Sequence, residues 1–539
     1  MRTHDVVNQP PPLVDYDVFA GDRALGEAVE REGAGWAKER LHALGRLAGG
    51  DAIAWGQQAN KYTPELHAFD RYGHRVDEVE YHGAWHALMK AGVEAGLHAS
   101  PWREPRVGAH VARAAGFMVL TQAEAGFGCP ISMTYSAVPA LRATPELARQ
   151  WEPRLTSLVY DPRNRPASDK LGALSGMAMT EKQGGSDVRA NSTRATRNSD
   201  GSYTLVGHKW FCSAPMCDMF LTLAQTDRGL GCFLVARWLP DGAKNRMHLQ
   251  RLKDKLGNRS NASSEVEFDG AWAQLVGEEG RGVPTIIEMV SHTRLDCCIG
   301  AAAGMRIGVT QALHHASHRT AFGKRLVDQA LMQNVLCDLV LESEAATATM
   351  ARLARAYDEA QHDPEARRFS RLATAVCKYW LCKRAPAHAA EALECLGGNG
   401  YVEESNLPRL YREAPLNGIW EGSGNVICLD VLRAMHKDPA AVELFFAEVA
   451  RADEPRLKRA VTALQHELAD VDGIEARARR IVERLAIVLQ ASLLLRHAPS
   501  AVSSAFMSSR LDGDRGLAFG TLPPGVDCDT ILARAAVSR

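Results

Sequence analysis

The chain has 539 residues, and its 63 lysines and arginines nearly balance its 64 aspartates and glutamates, which gives a formal net charge of −1. This balance excludes a uniformly basic protein that coats nucleic acid and a protein with a long acidic tail. It does not exclude a local basic surface. The longest stretch without a charged side chain, 125–141, contains two prolines and is shorter than the about 20 apolar residues that span a membrane, so we predict no membrane segment.

The N-terminus and the cysteines are typical of a cytoplasmic protein. The opening segment MRTHDVVNQPPPLVDYDVF has no apolar run behind a basic head, so it is not a secretory signal. The 12 cysteines include no C-x-x-C pair, which argues against a zinc ribbon or a thioredoxin-like motif. We expect reduced, mostly buried thiols and no metal site.

Helical and strand-like segments alternate along the chain in blocks. Residues 25–154 carry apolar side chains at three- and four-residue spacing, which predicts helices. Short runs rich in β-branched or aromatic residues predict strands at 202–206, 219–223, 232–236 and 264–268, with a turn at 199–202. Helical texture returns at about 284–435, broken by glycine-rich stretches at 396–400 and 420–425, and again after Pro439, before a loop-like end at 513–525. We predict a mainly α protein with a central β-domain, divided into helical 1–171, β-rich 172–285, helical 286–440 and helical 441–539.

The segment 177–187, MAMTEKQGGSD, is the most informative one. An apolar strand leads into a glycine-rich turn flanked by the hydroxyls of Thr180 and Ser186. Glycines let a backbone approach a ligand closely, and exposed amides with a hydroxyl can bind a phosphate. The spacings of a P-loop and of a dinucleotide fingerprint are absent, so a strand-ending turn without a ligand stays the alternative.

Four segments resemble, in the same order, the motifs of the acyl-CoA dehydrogenase family. MTEKQGGSD at 179–187 is similar to the T-E-x-x-x-G-S-D flavin loop, and GHKWFCS at 207–213 to the G-x-K-x-W-I-[TS] strand. RTAFG at 319–323 resembles the R-x-x-F-G loop, and LGGNGY at 396–401 with WEGSGN at 420–425 resembles the F-G-G-x-G-[YF] and Y-E-G-T-x-[QE] tail. One such motif is weak evidence, whereas four in order are strong.

Further segments resemble the AidB branch of that family over essentially the whole chain, among them RLKDKLGNRSNASSEVEF at 251–268 and IWEGSGNVICLDVLR at 419–433. The resemblance implies the acyl-CoA dehydrogenase fold (helical, β-barrel-like, helical) with an extra C-terminal helical domain. It also implies bound FAD, a homotetramer built as a dimer of dimers, and double-stranded DNA bound by the C-terminal domain. The implied biological role is a response to DNA alkylation damage.

The same resemblance assigns the cofactor contacts. They are Met179, Thr180, Gly185, Ser186, Trp210, Phe211, Ser213, Arg319, Phe322, Gly397, Gly398, Trp420, Ser423 and Asn425. Arg319 is expected to bind the pyrophosphate of a neighbouring subunit's FAD, and a solvated surface charge is the alternative. Phe211 and Trp420 stand where most relatives have tryptophan and tyrosine, and Asn425 replaces a longer side chain. These departures narrow the expected acyl-CoA channel and leave FAD as the expected cofactor.

Glu421 is the catalytic candidate. In the family, this glutamate removes the α-proton of an acyl-CoA while a hydride leaves the β-carbon for the flavin. Because an α-proton is weakly acidic, the site must desolvate the carboxylate, and Trp420 with the apolar residues 426–429 is expected to supply the dry setting. The alternative is an inherited turn residue with little catalytic use.

Bulk charge gives no support for DNA binding by residues 441–539, which contain 13 basic and 13 acidic side chains. Arg477, Arg480 and Arg484, however, share a helix face with Arg479 close by, and Arg433 is expected to extend this surface. A row of arginines can neutralise phosphates and bind duplex DNA without reading its sequence, in a salt-sensitive way. A solvated helix face with Glu475 and Glu483 as intrahelical partners is the alternative.

The predicted function is therefore that of an FAD-containing protein of the adaptive response to DNA alkylation. It is expected to bind and protect double-stranded DNA, with weak or vestigial acyl-CoA dehydrogenase chemistry. Two alternatives stay open: a metabolic acyl-CoA dehydrogenase whose tail serves assembly, and a DNA-associated scaffold in which the flavin is structural.

Overall fold

Helices make up most of the chain, of which the computed structural model describes residues 3–537. In chain order, the α-helices are α1 Arg23–Arg31, α2 Lys38–Ala48, α3 Asp51–Lys61, α4 Gly83–Glu94, α5 Ser100–Arg103, α6 Ala109–Thr121, α7 Gly128–Leu141, α8 Pro145–Leu155, α9 Gly282–His318, α10 Ala330–Glu359, α11 Pro364–Glu394, α12 Leu407–Glu413, α13 Gly424–Lys437, α14 Pro439–Val449, α15 Pro455–Ala469, α16 Ile474–His497, α17 Ser500–Phe506 and α18 Cys528–Ala535. Within residues 3–537, none of these helices combines the length and the apolar character that crossing a bilayer requires.

The strands form a closed central sheet and two small hairpins. In chain order they are β1 Glu65–Phe69, β2 Arg75–Glu80, β3 Ser175–Ala178, β4 Arg194–Arg197, β5 Tyr203–Ser213, β6 Met219–Thr226, β7 Gly229–Ala236, β8 Met247–Leu252, β9 Ser263–Val276, β10 Thr320–Ala321 and β11 Lys324–Arg325. β6, β4, β5, β9 and β7 pair in that order, and β7 pairs again with β6, so the sheet closes into a barrel with β3 and β8 at its margins. The predicted β-barrel-like centre is confirmed.

The chain divides into two compact units. The helical unit comprises the described residues of Met1–Gly50, Val107–Gln122 and Cys297–Arg539. The barrel unit comprises Asp51–Arg106 and Ala123–Asp296. The described residues of 441–539 belong to the same compact unit as α10, α11 and α13, and the boundaries of the four predicted domains stay a prediction.

The barrel is built from strands that alternate between its interior and its surface. In β5, Tyr203, Leu205 and Lys209 are buried, and in β9 Val266 and Phe268 are buried. Burying aromatic and branched side chains of this size stabilises the barrel by roughly 1.5–3 kcal/mol for each. All four predicted strands are confirmed, and each of them, β5, β6, β7 and β9, is longer than predicted.

The N-terminal part contains a hairpin that the helical prediction missed. β1 and β2 pair antiparallel within the barrel unit, with an irregular register between His67 and Phe69. The turn is closed by Asp70, whose carboxylate accepts hydrogen bonds from the backbone of Tyr72 and His74. Such an Asx-type turn is signalled by D-R-Y-G, but the surrounding helical periodicity outweighed it in the sequence.

Candidate functional site

A buried ion pair anchors the glycine-rich loop that follows β3. Glu181 and Lys209 have fully buried side chains, with Oε1 and Nζ 2.9 Å apart. Glu181 also accepts hydrogen bonds from the backbone of Ser192 and Thr193. Burial raises the pKa of Glu181, but these hydrogen bonds and the ammonium of Lys209 outweigh it and lower the pKa to about 2. Both charges are engaged internally, so this pair positions the loop.

Beyond this anchor, the loop presents exposed backbone donors. Among the residues that the structure describes, the amides of Gly185 and Ser186 have no hydrogen-bond partner, and both residues are exposed. A Cβ at Gly185 would collide with the side chain of Thr180, so a larger residue here would have to displace that side chain. Two available amides beside the Thr180 and Ser186 hydroxyls suit phosphate or the polar edge of a ring.

A β-bulge in β5 presents the two predicted aromatic contacts. The register with β9 shifts between Lys209 and Cys212, so Trp210 and Phe211 together oppose a single residue of β9. The amide of Trp210 donates to the carbonyl of Thr180, which joins the glycine-rich loop to β5. Phe211 is 50% exposed, and Ser213 Oγ lies 3.1 Å from Oγ of Ser263 at the end of the same strand. The barrel unit therefore brings Met179, Thr180, Gly185, Ser186, Trp210, Phe211 and Ser213 together along the loop and β5.

Glu421 lies in the helical unit, in the turn before α13, with a left-handed φ of +58°. This conformation costs an L-residue roughly 1–2 kcal/mol, so the surrounding structure must hold it. Lys378 of α11 stabilises this conformation, because its Nζ donates to the carbonyl oxygens of Trp420, at 2.8 Å, and of Gly422, at 2.6 Å. Lys378 is only 1% exposed. One buried ammonium thus fixes the backbone on both sides of Glu421.

Sequence reasoning missed Lys378. The signal was present, because this lysine is the single charge in the apolar stretch ATAVCKYWLC at 373–382. The predicted apolar surroundings of Glu421 are present in part: Ile427 and Cys428 are buried, and Nε1 of Trp420 donates to Oδ1 of Asn417 at 2.9 Å. Trp420, the residue before Glu421, is therefore held in one orientation.

The other predicted cofactor residues of the helical unit lie in three places. Ser423 is the N-cap residue of α13 with no side-chain cap hydrogen bond, and Asn425 follows on the first turn. Gly397 and Gly398 form an exposed turn where an added Cβ would meet open space. Arg319 donates to the carbonyl of Asn8 at 2.7 Å through Nη1 and keeps further N–H groups available, while Phe322 is 99% exposed.

The five arginines predicted to bind DNA do not form one open row. Arg480 and Arg484 both bind the carboxylate of Glu467 on α15. Arg477 is engaged by Asp470 and by backbone carbonyls of the α15–α16 connection. Arg479 donates through Nε to Oδ1 of Asn425 at 2.8 Å, and Arg433 is exposed with no partner among residues 3–537.

These positions fit a flavin dinucleotide in their donor chemistry. The free amides of Gly185 and Ser186 and the available guanidinium of Arg319 are donors of the kind that phosphate oxygens and ring carbonyls accept. In the barrel unit the exposed side chain of Phe211 is accessible to a planar ring, and in the helical unit the glycine turn at 397–398 is open to solvent. In the part of the chain that the structure describes, no group of three or more His, Cys, Asp or Glu side chains could hold a metal ion.

Three family models match most of the chain. They are "Adaptive response protein AidB N-terminal domain" over residues 8–162, "Acyl-CoA dehydrogenase, middle domain" over 176–271 and "Acyl-CoA dehydrogenase, C-terminal domain" over 280–436. The AidB protein of Escherichia coli (strain K12) is 47% identical over 522 residues, which cover 96% of each chain.

Two solved structures share the fold. Caenorhabditis elegans ACDH-11, solved in complex with C11-CoA, has a TM-score of 0.85 and 25% identity, covering 100% of this chain and 95% of that one. An acyl-CoA dehydrogenase from Bacillus anthracis, solved with FAD, has a TM-score of 0.64 and covers 80% of this chain and 78% of that one; at 17% identity it supports the fold alone. FAD is the cofactor of this family, as the motifs predicted. The chain belongs to the acyl-CoA dehydrogenase family, in its AidB branch.

Proposed function

We propose that this chain is an FAD-dependent flavoprotein that removes an α-proton and a β-hydride from an acyl-CoA, with Glu421 as the base. The observation that carries the proposal is the turn around Glu421, which keeps a strained backbone in place through the buried ammonium of Lys378. Strain held by surrounding structure is typical of sites where a side chain must be aimed accurately. The family membership and the C11-CoA complex of the C. elegans relative support an acyl-CoA as substrate.

The chain's own residues divide the work. Gly185, Ser186 and Ser213 of the barrel unit would hold FAD by backbone and hydroxyl donors, and Arg319 would bind a pyrophosphate. When bound, FAD supplies the acceptor for the β-hydride. The Glu421 carboxylate takes the α-proton, so the two electrons of the C–H bond become the new carbon–carbon double bond. Trp420, fixed by Asn417, adds bulk beside the carboxylate and favours short acyl chains.

Anaerobic mixing with butyryl-CoA and isovaleryl-CoA tests this function. We expect bleaching of the oxidised flavin, at a rate that Glu421→Gln lowers by about 10³-fold or more while FAD stays bound. Glu413→Gln, which changes a glutamate on α12 outside the proposed site, is the matched control and should bleach at the parent rate. If neither acyl-CoA bleaches the flavin, the proposed activity is refuted and the flavin has a structural role. Rapid multiple turnover would favour the metabolic alternative.

We further propose that the protein acts in the adaptive response to DNA alkylation, in the cytoplasm and as a homotetramer, by binding duplex DNA without sequence preference. Its relationship to AidB supports the role, and free cations on the helical unit support the binding. Arg433 and Lys437 lie one helical turn apart on α13, both exposed, and Arg459 on α15 is exposed as well. Among residues 3–537, none of the three has a carboxylate partner, so all are available to phosphates.

Fluorescence anisotropy with a labelled duplex at several salt concentrations tests the DNA proposal. Affinity should fall steeply with salt, with similar values for unrelated sequences. Point variants are the proper test, because deleting 441–539 would remove α16 from the core of the helical unit. Binding that is absent at low salt, or that does not respond to salt, would refute the proposal.

A further inference from the structure

The N-terminal segment of residues 8–13, NQPPPL, is hydrogen-bonded to two cofactor motifs that lie much further along the chain. The segment forms neither a helix nor a strand. Its three prolines at 10–12 have a fixed φ and no N–H, so the backbone is stiff. Leu13 is buried and anchors the segment in the helical unit. A stiff segment that is anchored at one end can hold a neighbouring loop with little further loss of conformational entropy.

Asn8 binds the 319–323 loop through both edges of its side-chain amide. Its Nδ2 donates to the carbonyl oxygen of Thr320, and the amide of Thr320 donates to its Oδ1, each at 2.7 Å. Two residues of paired antiparallel strands exchange hydrogen bonds in the same way. Asn8 has a left-handed φ of +59°, which asparagine adopts more readily than most residues. The side chain of Asn8 therefore fixes the backbone of the residue that follows Arg319.

The backbone of Asn8 also orients Arg319 itself. Nη1 of Arg319 donates to the carbonyl oxygen of Asn8 at 2.7 Å. Among residues 3–537, no carboxylate pairs with this guanidinium, so a neutral carbonyl holds it and its positive charge stays uncompensated. A guanidinium carries five N–H groups, so further donors remain for an anion. One residue thus holds both the side chain of Arg319 and the backbone beside it.

Two further contacts connect the same segment to other parts of the helical unit. Nε2 of His314 on α9 donates to the carbonyl oxygen of Pro11 at 2.7 Å. Nδ2 of Asn399 donates to Oε1 of Gln9 in a longer contact of 3.4 Å. Asn399 belongs to the glycine-rich turn that was predicted to contact the cofactor. Residues 8–11 therefore contact both this turn and the 319–323 loop.

We propose that residues 8–11 complete the phosphate-binding part of the cofactor site, with Asn8 as the residue that positions Arg319. This inference rests on the proposed binding of a pyrophosphate by Arg319. An arginine that is free to move loses side-chain entropy when it binds a phosphate, and this loss lowers the affinity. Asn8 orders the guanidinium and its loop before FAD binds. Loss of the Asn8 side chain therefore weakens FAD binding through Arg319, without any contact between Asn8 and FAD.

The rate at which the full-length holoprotein releases FAD tests this role. After dilution into FAD-free buffer, flavin fluorescence follows the release. Asn8→Gly removes both side-chain hydrogen bonds, and glycine still adopts the left-handed backbone. We expect release about fivefold faster than in the parent, as for the loss of one hydrogen bond, because changes in affinity appear mainly in the dissociation rate.

Asp15→Gly is the matched control. Asp15 is a second exposed residue of the N-terminal region with a left-handed φ, at +58°. Its backbone amide donates to Gly49, and its side chain makes no hydrogen bond to the 319–323 loop. Asp15→Gly should release FAD at the parent rate. An unchanged release rate in Asn8→Gly, or an equal acceleration in both variants, would overturn the proposal.

Trypsin digestion of the same holoproteins reports on the loop without reference to FAD affinity. Lys324 and Arg325 are exposed cleavage sites in the hairpin that contains the loop. Cleavage after them should be about threefold or more faster in Asn8→Gly, because the loop loses two of its hydrogen bonds and opens more often. Equal cleavage rates in parent and variant would show that the loop keeps its conformation without Asn8, and would overturn the proposal.

Combining Asn8→Gly with Arg319→Gln separates positioning of the arginine from general support of the fold. If Asn8 acts through Arg319, the double variant should release FAD at the rate of Arg319→Gln alone, because no guanidinium is left to position. Independent effects that multiply in the double variant would overturn the proposal. An unchanged release rate in Arg319→Gln would refute the role of Arg319, and the inference with it. None of these measurements requires acyl-CoA oxidation, so failure of the proposed dehydrogenation is detected separately.

Discussion

The carboxylate of Glu421 depends on a single lysine for its placement. Replacing Lys378 with Met removes the donor shared by the Trp420 and Gly422 carbonyls and leaves two half-buried acceptors without a partner. We expect a loss of about 2–4 kcal/mol in the free energy of unfolding, from roughly 1–3 kcal/mol for each unsatisfied group. Flavin bleaching by butyryl-CoA should slow by more than tenfold, as measured in a stopped-flow spectrometer.

Lys383→Met is the control for this variant, because Lys383 lies on the same helix but is exposed. It should keep both the stability and the bleaching rate of the parent. If Lys378→Met loses stability but bleaches flavin at the parent rate, the lysine supports the fold and does not position Glu421.

The buried pair Glu181–Lys209 sets a pH dependence that can be measured separately. The pKa of Glu181 is lowered to about 2, so its charge contributes stability above the ordinary carboxyl pKa of 4.5, and this contribution is lost as the pH falls toward 2. Glu181→Gln should therefore be less stable than the parent by about 3 kcal/mol at pH 7, since it leaves Lys209 buried without its counter-charge.

Urea titrations of both proteins between pH 3 and 7 check this expectation. The stability difference should stay constant from pH 7 to about 5 and then shrink toward pH 3, because Glu181 is increasingly protonated in the unfolded chain and then resembles glutamine. A difference that stays constant across this range would mean that the charge of Glu181 is not what stabilises the loop.

Single functional residues were predictable from the sequence where they belong to a short motif of neighbouring residues. Glu421, Gly185 and Ser186 were predicted because the residues around them form the motif. Lys378 and the Arg479–Asn425 hydrogen bond were not, because each joins positions far apart in the chain. A local pattern carries no information on such pairs until the helices are packed.

The elements were predictable where one periodicity dominates. The strands β5, β6, β7 and β9 were found, since their β-branched and aromatic runs are bounded by turn residues. β4 and β8 were missed because neither contains an apolar run: Arg194–Arg197 is short and polar, and Met247–Leu252 mixes apolar and polar residues. The bulge at Trp210 was equally hidden, because it arises from the pairing register with β9.

Helix α16 shows how packing changes the meaning of a pattern. Its arginine face was predicted to bind DNA, but Arg480 and Arg484 share Glu467, and nearly every residue from Ile481 to Leu494 is buried. Two arginines bound to one carboxylate hold α15 against α16 and have little freedom to meet phosphates. The exposed cations of α13 are better placed to do so.

This difference between the helices gives a test of the DNA surface. The double variant Arg433→Gln and Lys437→Gln should weaken duplex binding and reduce the slope of log affinity against log salt by about 2, since two phosphate contacts are lost. Arg484→Gln, the control, removes a contact to Glu467 and should lower the melting temperature while leaving the salt slope unchanged. The opposite result, in which only Arg484→Gln reduces the slope of log affinity against log salt, would show that DNA binds to α16 and not to α13. Anisotropy titrations at four salt concentrations distinguish these outcomes.

For the whole molecule, the sequence could not show that residues 441–539 form part of a larger compact unit. α16 contacts α10, α11 and α13, so the segment shares one core with the helices that carry Glu421. The hydrogen bond from Arg479 to Asn425 makes the same connection at the turn itself. Substituting a charged residue on the C-terminal helices is therefore expected to alter the turn that carries Glu421.

Oligomeric assembly and FAD retention should be linked through the loop between α9 and α10. Phe322 is 99% exposed with a left-handed φ, and Leu331 is 84% exposed, which is unusual for large apolar side chains unless a partner covers them. Phe322→Asp should convert the proposed tetramer to smaller species and release FAD, because Arg319 in the same loop, which we propose to bind a neighbour's pyrophosphate, would lose its target. Arg319→Gln should weaken FAD binding by about tenfold, the loss of one charge-assisted contact, while the mass stays that of the parent assembly. Light scattering coupled to flavin absorbance measures both quantities at once. A Phe322→Asp monomer that keeps its full flavin content would show that each subunit binds FAD with its own residues alone.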